Sequence, residues 1–319
     1  MFLSRFIVGM LSVALMLLGV GVVAGQDYPN KVIRIISTGG GSNEIKARLI
    51  AQGITGPLGQ PVIVELRGTP IISSETASKA PPDGYTMHVT GSALWLSALM
   101  QKVPYDVFRD FSPISLVDRS PTSLAVHPSL PVKSVKELIS LAKARPGEIN
   151  YSSAGPGNTG WFAIELLKSM AAINIMSVPY KTSGTAITGL IGGEVQVSFF
   201  DPSVVLPHVK AGRLRALAVS SAMPSVLAPG LPTIAASGVP GYEYSTVTSM
   251  FAPAKTPDAI IKRLNQEVVR FLNNPDVKQK FLTTGIDAIS SSPEELTATM
   301  KSDQAKIGKL IKDAGISTQ

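Results

Sequence analysis

Short apolar runs alternate with stretches whose apolar residues recur every three or four positions, the pattern of an α/β protein with mostly parallel sheets. Residues 31–37 predict a first strand, which runs into Gly39, Gly40, Gly41 and Ser42. Beyond them Ile45, Leu49, Ile50 and Ile54 recur at helical spacing until Pro57 and Gly59 stop the helix. Residues 61–66 and 85–90 predict two more strands, the later one entered through Pro81-Pro82-Asp83-Gly84. Residues 111–126 form a long extended stretch broken by Pro121, where a first crossing between domains is expected. Ser134 with Glu137 makes a capping box for a helix ending at Pro146-Gly147. Strands over 149–153, 175–180 and 195–200 each lead into a helix, through the loop 154–160, through Thr182-Ser183-Gly184-Thr185, and through Asp201-Pro202. A strand over 214–220 follows, and the C-terminal part returns to helices, one capped by Thr256 ahead of Pro257 and one by Ser292 with Glu295.

The N-terminus departs from this pattern. Arg5 is followed by uncharged residues 6–23 and small residues at Ala24 and Gly25, the order of a cleaved secretory signal peptide over 1–24. The uncharged run is long enough that an uncleaved membrane anchor is the alternative. The chain has no cysteine, which removes lipid anchoring through an acylated thiol, disulfides, thiolate nucleophiles and Cys-ligated metals. Export without disulfides points to a bacterial periplasm. The length suits two domains. A net charge of +7 on 319 residues suits an anionic ligand and ordinary solubility alike, and with 16% charged residues and no basic stripe, nucleic acid is not an expected partner.

Three strands end in Gly, Ser and Thr loops that open helices: 39–43, 154–160 and 182–185. A helix N-terminus exposes unpaired N–H groups and the positive end of its dipole, so each is a candidate seat for a carboxylate or phosphate. Ordinary helix capping explains any one of them. The loop 155–160 also spells G-x-G-x-x-G, yet no Asp or Glu stands between Glu165 and Glu194 to hold a ribose, so no nucleotide cofactor is expected. The three histidines, His88, His127 and His208, form no metal motif, and no nucleophile elbow occurs, so neither a catalytic residue nor a metal is expected. Asp201 is either a turn acid before Pro202 or a ligand contact accepting from a hydroxyl, amine or water. Trp95 and Trp161 suit cleft or core, with Trp161, directly after a Gly loop, the better cleft candidate.

Tyr28-Pro29-Asn30-Lys31, Leu58-Gly59-Gln60-Pro61-Val62, Pro82-Asp83-Gly84-Tyr85, Pro104-Tyr105-Asp106, Tyr151-Ser152-Ser153-Ala154-Gly155 and Val178-Pro179-Tyr180-Lys181 follow one another in an order that resembles the substrate-binding proteins of tripartite tricarboxylate transporters, the Bug family. The resemblance implies a periplasmic-binding-protein fold of the type II-like, Venus-flytrap kind: two α/β domains with a ligand cleft between them. The expected division is 25–123 plus 246–319 for one domain and 124–245 for the other. It implies a small carboxylate ligand (di- or tricarboxylate, amino or aromatic acid), held by Gly40, Gly41, Ser42 and Asn43 and by Ala154, Gly155, Asn158 and Thr159. Ser183 and Asp201 join them as candidates from the reading of the loops. The membrane subunits of a tripartite tricarboxylate transporter are the implied partner, the protein itself being a monomer; an orphan sensory receptor and an exported hydrolase are the alternatives. The chain departs from the family pattern at Ser37-Thr38-Gly39, at Asn43-Glu44 and over 67–72, all on the expected cleft wall. Valine in place of Gly41 or Gly155 is expected to abolish binding while hardly moving the melting temperature.

Overall fold

The computed structural model describes residues 28–39, 42–153, 155 and 158–313; the expected signal peptide lies outside them. The chain first forms β1 (Ile33–Ser37), α1 (Ser42–Leu58), β2 (Val62–Leu66), α2 (Pro70–Ser78), β3 (Thr86–Gly91) and α3 (Ala93–Leu96). The strands β4 (Phe111–Pro121) and β5 (Ser123–Val126) follow almost end to end. Next come α4 (Val135–Ala144), β6 (Asn150–Ser153), α5 (Thr159–Ala171), β7 (Met176–Pro179), α6 (Ser183–Ile191), β8 (Val197–Phe200), α7 (Pro202–Lys210) and β9 (Arg215–Val219). The chain ends with β10 (Ser245–Pro253), α8 (Asp258–Leu272), α9 (Pro275–Thr283) and α10 (Pro293–Asp313).

These strands make two five-stranded sheets, ordered β2-β1-β3-β10-β4 and β7-β6-β8-β5-β9. In the first, β1 runs parallel to β2 and β3, and β10 is antiparallel to β3 and β4. In the second, β6 runs parallel to β7 and β8, and β5 is antiparallel to β8 and β9. The two sheets therefore share one plan, and in each the antiparallel fourth strand is the one that arrives from the other sheet.

The chain passes between the sheets at Thr122 and again between β9 and β10. Ser220 binds both passages. Its hydroxyl accepts from the Thr122 backbone N–H at 2.7 Å and from the Thr122 hydroxyl at 2.9 Å, and donates to the Tyr244 carbonyl at 2.6 Å. Its own N–H donates to Thr122 O, and its carbonyl accepts from Tyr244 N–H. Both Ser220 and Thr122 are buried, so every one of these groups would otherwise be left without a partner away from water.

Most sequence-predicted elements appear, within one or two residues of their expected ends, and the differences have local causes. The first helix does not stop at Pro57 but carries it inside its last turn, because Gly59, at φ +69°, supplies the left-handed residue that ends the helix. Ile45, expected on its inner face, is 47% exposed, and Lys46 is buried instead. Residues 67–72 belong to a helix start: Thr69 accepts from Ile72 N–H and Pro70 occupies the first turn of α2. Thr256 does not cap α8; its hydroxyl donates to Pro253 O, and Pro257 takes the cap position. The strand β10 was not anticipated. Ser292 and Glu295 do form the reciprocal box expected of them.

His88 on β3 lies 1% exposed, with Nδ1 3.0 Å from Ile36 O and Nε2 3.1 Å from Ser74 Oγ. Burial pushes its pKa down to about 4 from 6.5, against the hydrogen bond to Ile36 O. The unfolded chain takes up a proton below 6.5 that the folded chain refuses until about 4. The contribution to stability is thus present above that window and is lost as pH falls through it, by roughly 3 kcal/mol. Urea unfolding of His88→Gln above and below the window should show a smaller loss than the parent. A second expectation concerns the crossings: Ser220→Ala, which orphans Thr122 N–H and Tyr244 O, should lower the urea-unfolding free energy by about 1–3 kcal/mol.

Candidate functional site

In each sheet the chain leaves the strand next to one edge, β1 or β6, builds that edge as β2 or β7, and returns to the other side as β3 or β8. The points of reversal lie between β1 and β3 and between β6 and β8. Open α/β sheets bind ligands beyond the carboxyl ends of strands at such points. In the first sheet this places the loop after β1 beside Gly91 and Ser92. In the second, β7, β6 and β8 run parallel, so the loops leading to Ser183, to Gly155 and Asn158, and to Asp201 emerge side by side at one end.

The first loop opens α1, and a row of polar groups runs from that helix to the crossing strands. Lys46 Nζ donates to Thr248 Oγ1 at 2.8 Å, and Thr248 Oγ1 donates to Asn43 Oδ1 at 3.2 Å. Asn43 Nδ2 faces Gly91, where an added Cβ would sit 3.7 Å from it. Lys46 Nζ also lies 2.7 Å from Asp118 Oδ1, with side chains only 4% and 0% exposed. This contact is a charge pair, since Oδ1 accepts no aligned hydrogen bond, while Oδ2 accepts from Ser120 Oγ at 2.8 Å. Lys46 is drawn inward because it shares a helix face with Ala47, Ile50, Ile54 and Leu58, all buried. A charge so placed is tolerated only with a partner, which Asp118 supplies.

Asp201, at the end of β8, reaches the same place from the other sheet. Its carboxyl pKa is raised, chiefly by burial and further by the negative charge of Asp118, against the opposing pull of Lys46. Although part of its surface stays open, the carboxyl itself is walled in and makes no capping bond to α7. Lys46, Asp118 and Asp201 thus form a charged group shared by both sheets.

The other sequence-predicted residues are placed as follows. Gly40, Gly41 and Ala154 lie outside the described residues. Ser42 opens α1 and Asn43 joins the polar row. Asn158 caps α5 by accepting from Gly160 N–H at 3.0 Å, and Thr159 is the first residue of that helix. Gly155 donates its N–H to Ser153 Oγ at 3.2 Å and has φ +90°. Valine there is strained whatever the space around it, so the expectation of an unchanged melting temperature is corrected for this position. Ser183 opens α6 behind the Thr182–Thr185 capping box and is exposed. Trp161 is 6% exposed and packs edge-on against Phe162, so it fills the core and does not face the cleft. Sequence reasoning missed Lys46, Asp118 and Thr248. The signal for Lys46 was available: it stands four residues before Ile50 on the apolar stripe. Among the described residues no three His, Cys, Asp or Glu side chains gather as a metal site, and no helix is long and apolar enough to cross a membrane.

Two α/β units with facing reversal points, joined by two crossings, define a two-domain solute-binding protein of the periplasmic-binding-protein kind. The solved structure of R. palustris Rpa4515 with adipate matches with a TM-score of 0.85 and 33% identity, covering 92% of this chain and 100% of that one. The periplasmic binding protein BugD matches with a TM-score of 0.81 and 26% identity, over 92% and 100% of the two chains. BugT of Bordetella pertussis (strain Tohama I) is 32% identical over 302 residues, 92% of each chain. The profile of the tripartite tricarboxylate transporter family receptors matches residues 46–316, and the chain belongs to that family, the Bug receptors. Its relatives are binding proteins, and it is not an enzyme.

The charge pair yields a stability prediction. Lys46→Met leaves Asp118 buried and unpaired and should cost about 3–5 kcal/mol in urea denaturation. Adding Asp118→Asn, which keeps an acceptor for Ser120, should recover most of that loss.

Proposed function

We propose that the protein captures a small carboxylate between its two domains, divided as 25–123 plus 246–319 and 124–245. The carboxylate lies at the helix starts of the loops that include Gly40, Gly41, Ser42 and Asn43 and Ala154, Gly155, Asn158 and Thr159. Ser183 and Asp201 line the second domain's side. The observation that carries this reading is the polar row Asn43–Thr248–Lys46–Asp118 beneath one reversal point, met across the cleft by Asp201. Adipate in the 33% identical relative supports the ligand class. Asn158 takes the Gly160 N–H, Thr182 takes the Thr185 N–H, and Gly155 spends its N–H on Ser153, so the first-turn N–H groups of α1, α5 and α6 that these caps leave open are the anion donors.

The chain is exported with removal of residues 1–24, acts as a periplasmic monomer, and hands its ligand to the membrane subunits of a tripartite tricarboxylate transporter. Binding draws the two domains together, because contacts to both are made only in the closed form.

Thermal denaturation against mono-, di- and tricarboxylates, amino acids and aromatic acids tests the proposal. A true ligand at one hundred times its dissociation constant adds about 2.7 kcal/mol. Thr248→Val, which keeps the shape and breaks the row between Lys46 and Asn43, should weaken that ligand by roughly tenfold. A panel in which no acid moves the transition overturns the proposal.

A further inference from the structure

The two crossing strands have two faces. Thr248 pairs with Asp118 and Val247 with Arg119, and neighbouring residues of a strand point to opposite sides. Thr248 and Asp118 face Lys46. Val247 and Arg119 line a cavity of about 270 Å³ on the opposite side, together with Gly241 and Tyr244 of the return passage. The crossings therefore stand between the cleft and this rear gap.

The gap has one wall in each domain. Leu166 and Met170 of α5 form one, and Leu96 of α3 with Ile307 and Leu310 of α10 form the other. Its polar groups tie neither wall to its opposite. Ser92 Oγ and Tyr244 OH, at 2% and 7% exposure, bond to no protein group. Glu165 and Lys168, the charged residues of α5, pair with each other. Asp303 of α10 lies in the field of Arg119 and Lys306, both of its own domain. What meets across the gap is apolar, and Met170 is 41% exposed, so it can change size without disturbing a packed core.

Two bodies joined by a pair of short passages rotate about them as a hinge. Points on opposite sides of a hinge move in opposite senses, so widening the cleft narrows the rear gap and closing the cleft widens it. Packed side chains do not interpenetrate, so the narrowing ends where the two walls touch. We propose that α5 and α10 form the stop that limits how far the receptor opens, with Met170 the side chain that sets the limit. The inference rests on capture between two domains and adds a bound on the empty form: a ligand meets a cleft of set width.

The chain has no cysteine, so two introduced ones take spin labels cleanly. Arg48→Cys on α1 and Thr188→Cys on α6 are exposed positions on helices that begin at opposite sides of the cleft. The distance between the labels is read in the empty protein by pulsed electron resonance. Met170→Trp, which holds the walls apart, should shift the distribution to shorter distances and remove its long end. Met170→Ala, which lets the walls approach, should shift it to longer ones. Leu166→Trp replaces the first variant if that variant lowers the thermal transition of the protein. Opposed shifts are required: distances that stay put in either variant, or move the same way in both, overturn the stop. Since the labels report on the empty protein, an acid panel without a response would sink the carboxylate reading, while opposed shifts would still support the stop.

Discussion

The hydroxyl of Ser220 ties together the two places where the chain passes between its sheets. The first sheet is closed by β10, which arrives only after the chain has built the second sheet and returned, so that sheet is completed only when both passages are made. At that junction the backbone cannot satisfy itself by sheet pairing alone, because strands end there. One buried serine accepts twice and donates once, and so closes the gap between Thr122 and Tyr244. The relation between the two reversal points, and hence the cleft, rests on this short connection.

The polar floor of the cleft follows from it. Asp118 and Thr248 come to Lys46 because β4 and β10 are held in register up to the crossing. A buried lysine contributes little net stability even when paired, since desolvation consumes most of the Coulombic gain. What the pair supplies is orientation: Thr248 is fixed by Lys46 and in turn fixes Asn43. The first turn of α1 is thereby set before any ligand arrives, which reduces the ordering cost of the binding proposed there.

Much of this was legible along the chain. Alternating periodicity gave the α/β class, and turn chemistry such as Thr182–Thr185 and Ser292–Glu295 located helix starts closely. The strand β10 escaped because Thr, Ser, Val, Met and Phe in a fully covered strand show neither period two nor period 3.6. The common plan of the two sheets escaped for another reason: it is a likeness of strand order, carried by no repeat of residues. The loops were readable as helix starts from their glycines and hydroxyls. The charged group was not, because Lys46, Asp118 and Asp201 are far apart in sequence and meet only through the crossings. Trp161 was misplaced because a large residue after a glycine loop fits rim and core equally until the packing of α5 is known.

The depth of the Lys46–Asp118 pair has a consequence for the medium around the protein. Mobile ions screen exposed charges over about 8 Å at physiological ionic strength but reach buried pairs far less. Glu44 and Arg48, paired at the rim with the arginine exposed, will fade as salt rises, while the field of the floor persists. The orientation of Thr248 and Asn43 is therefore set by a pair that the ionic strength of the surroundings does not reach.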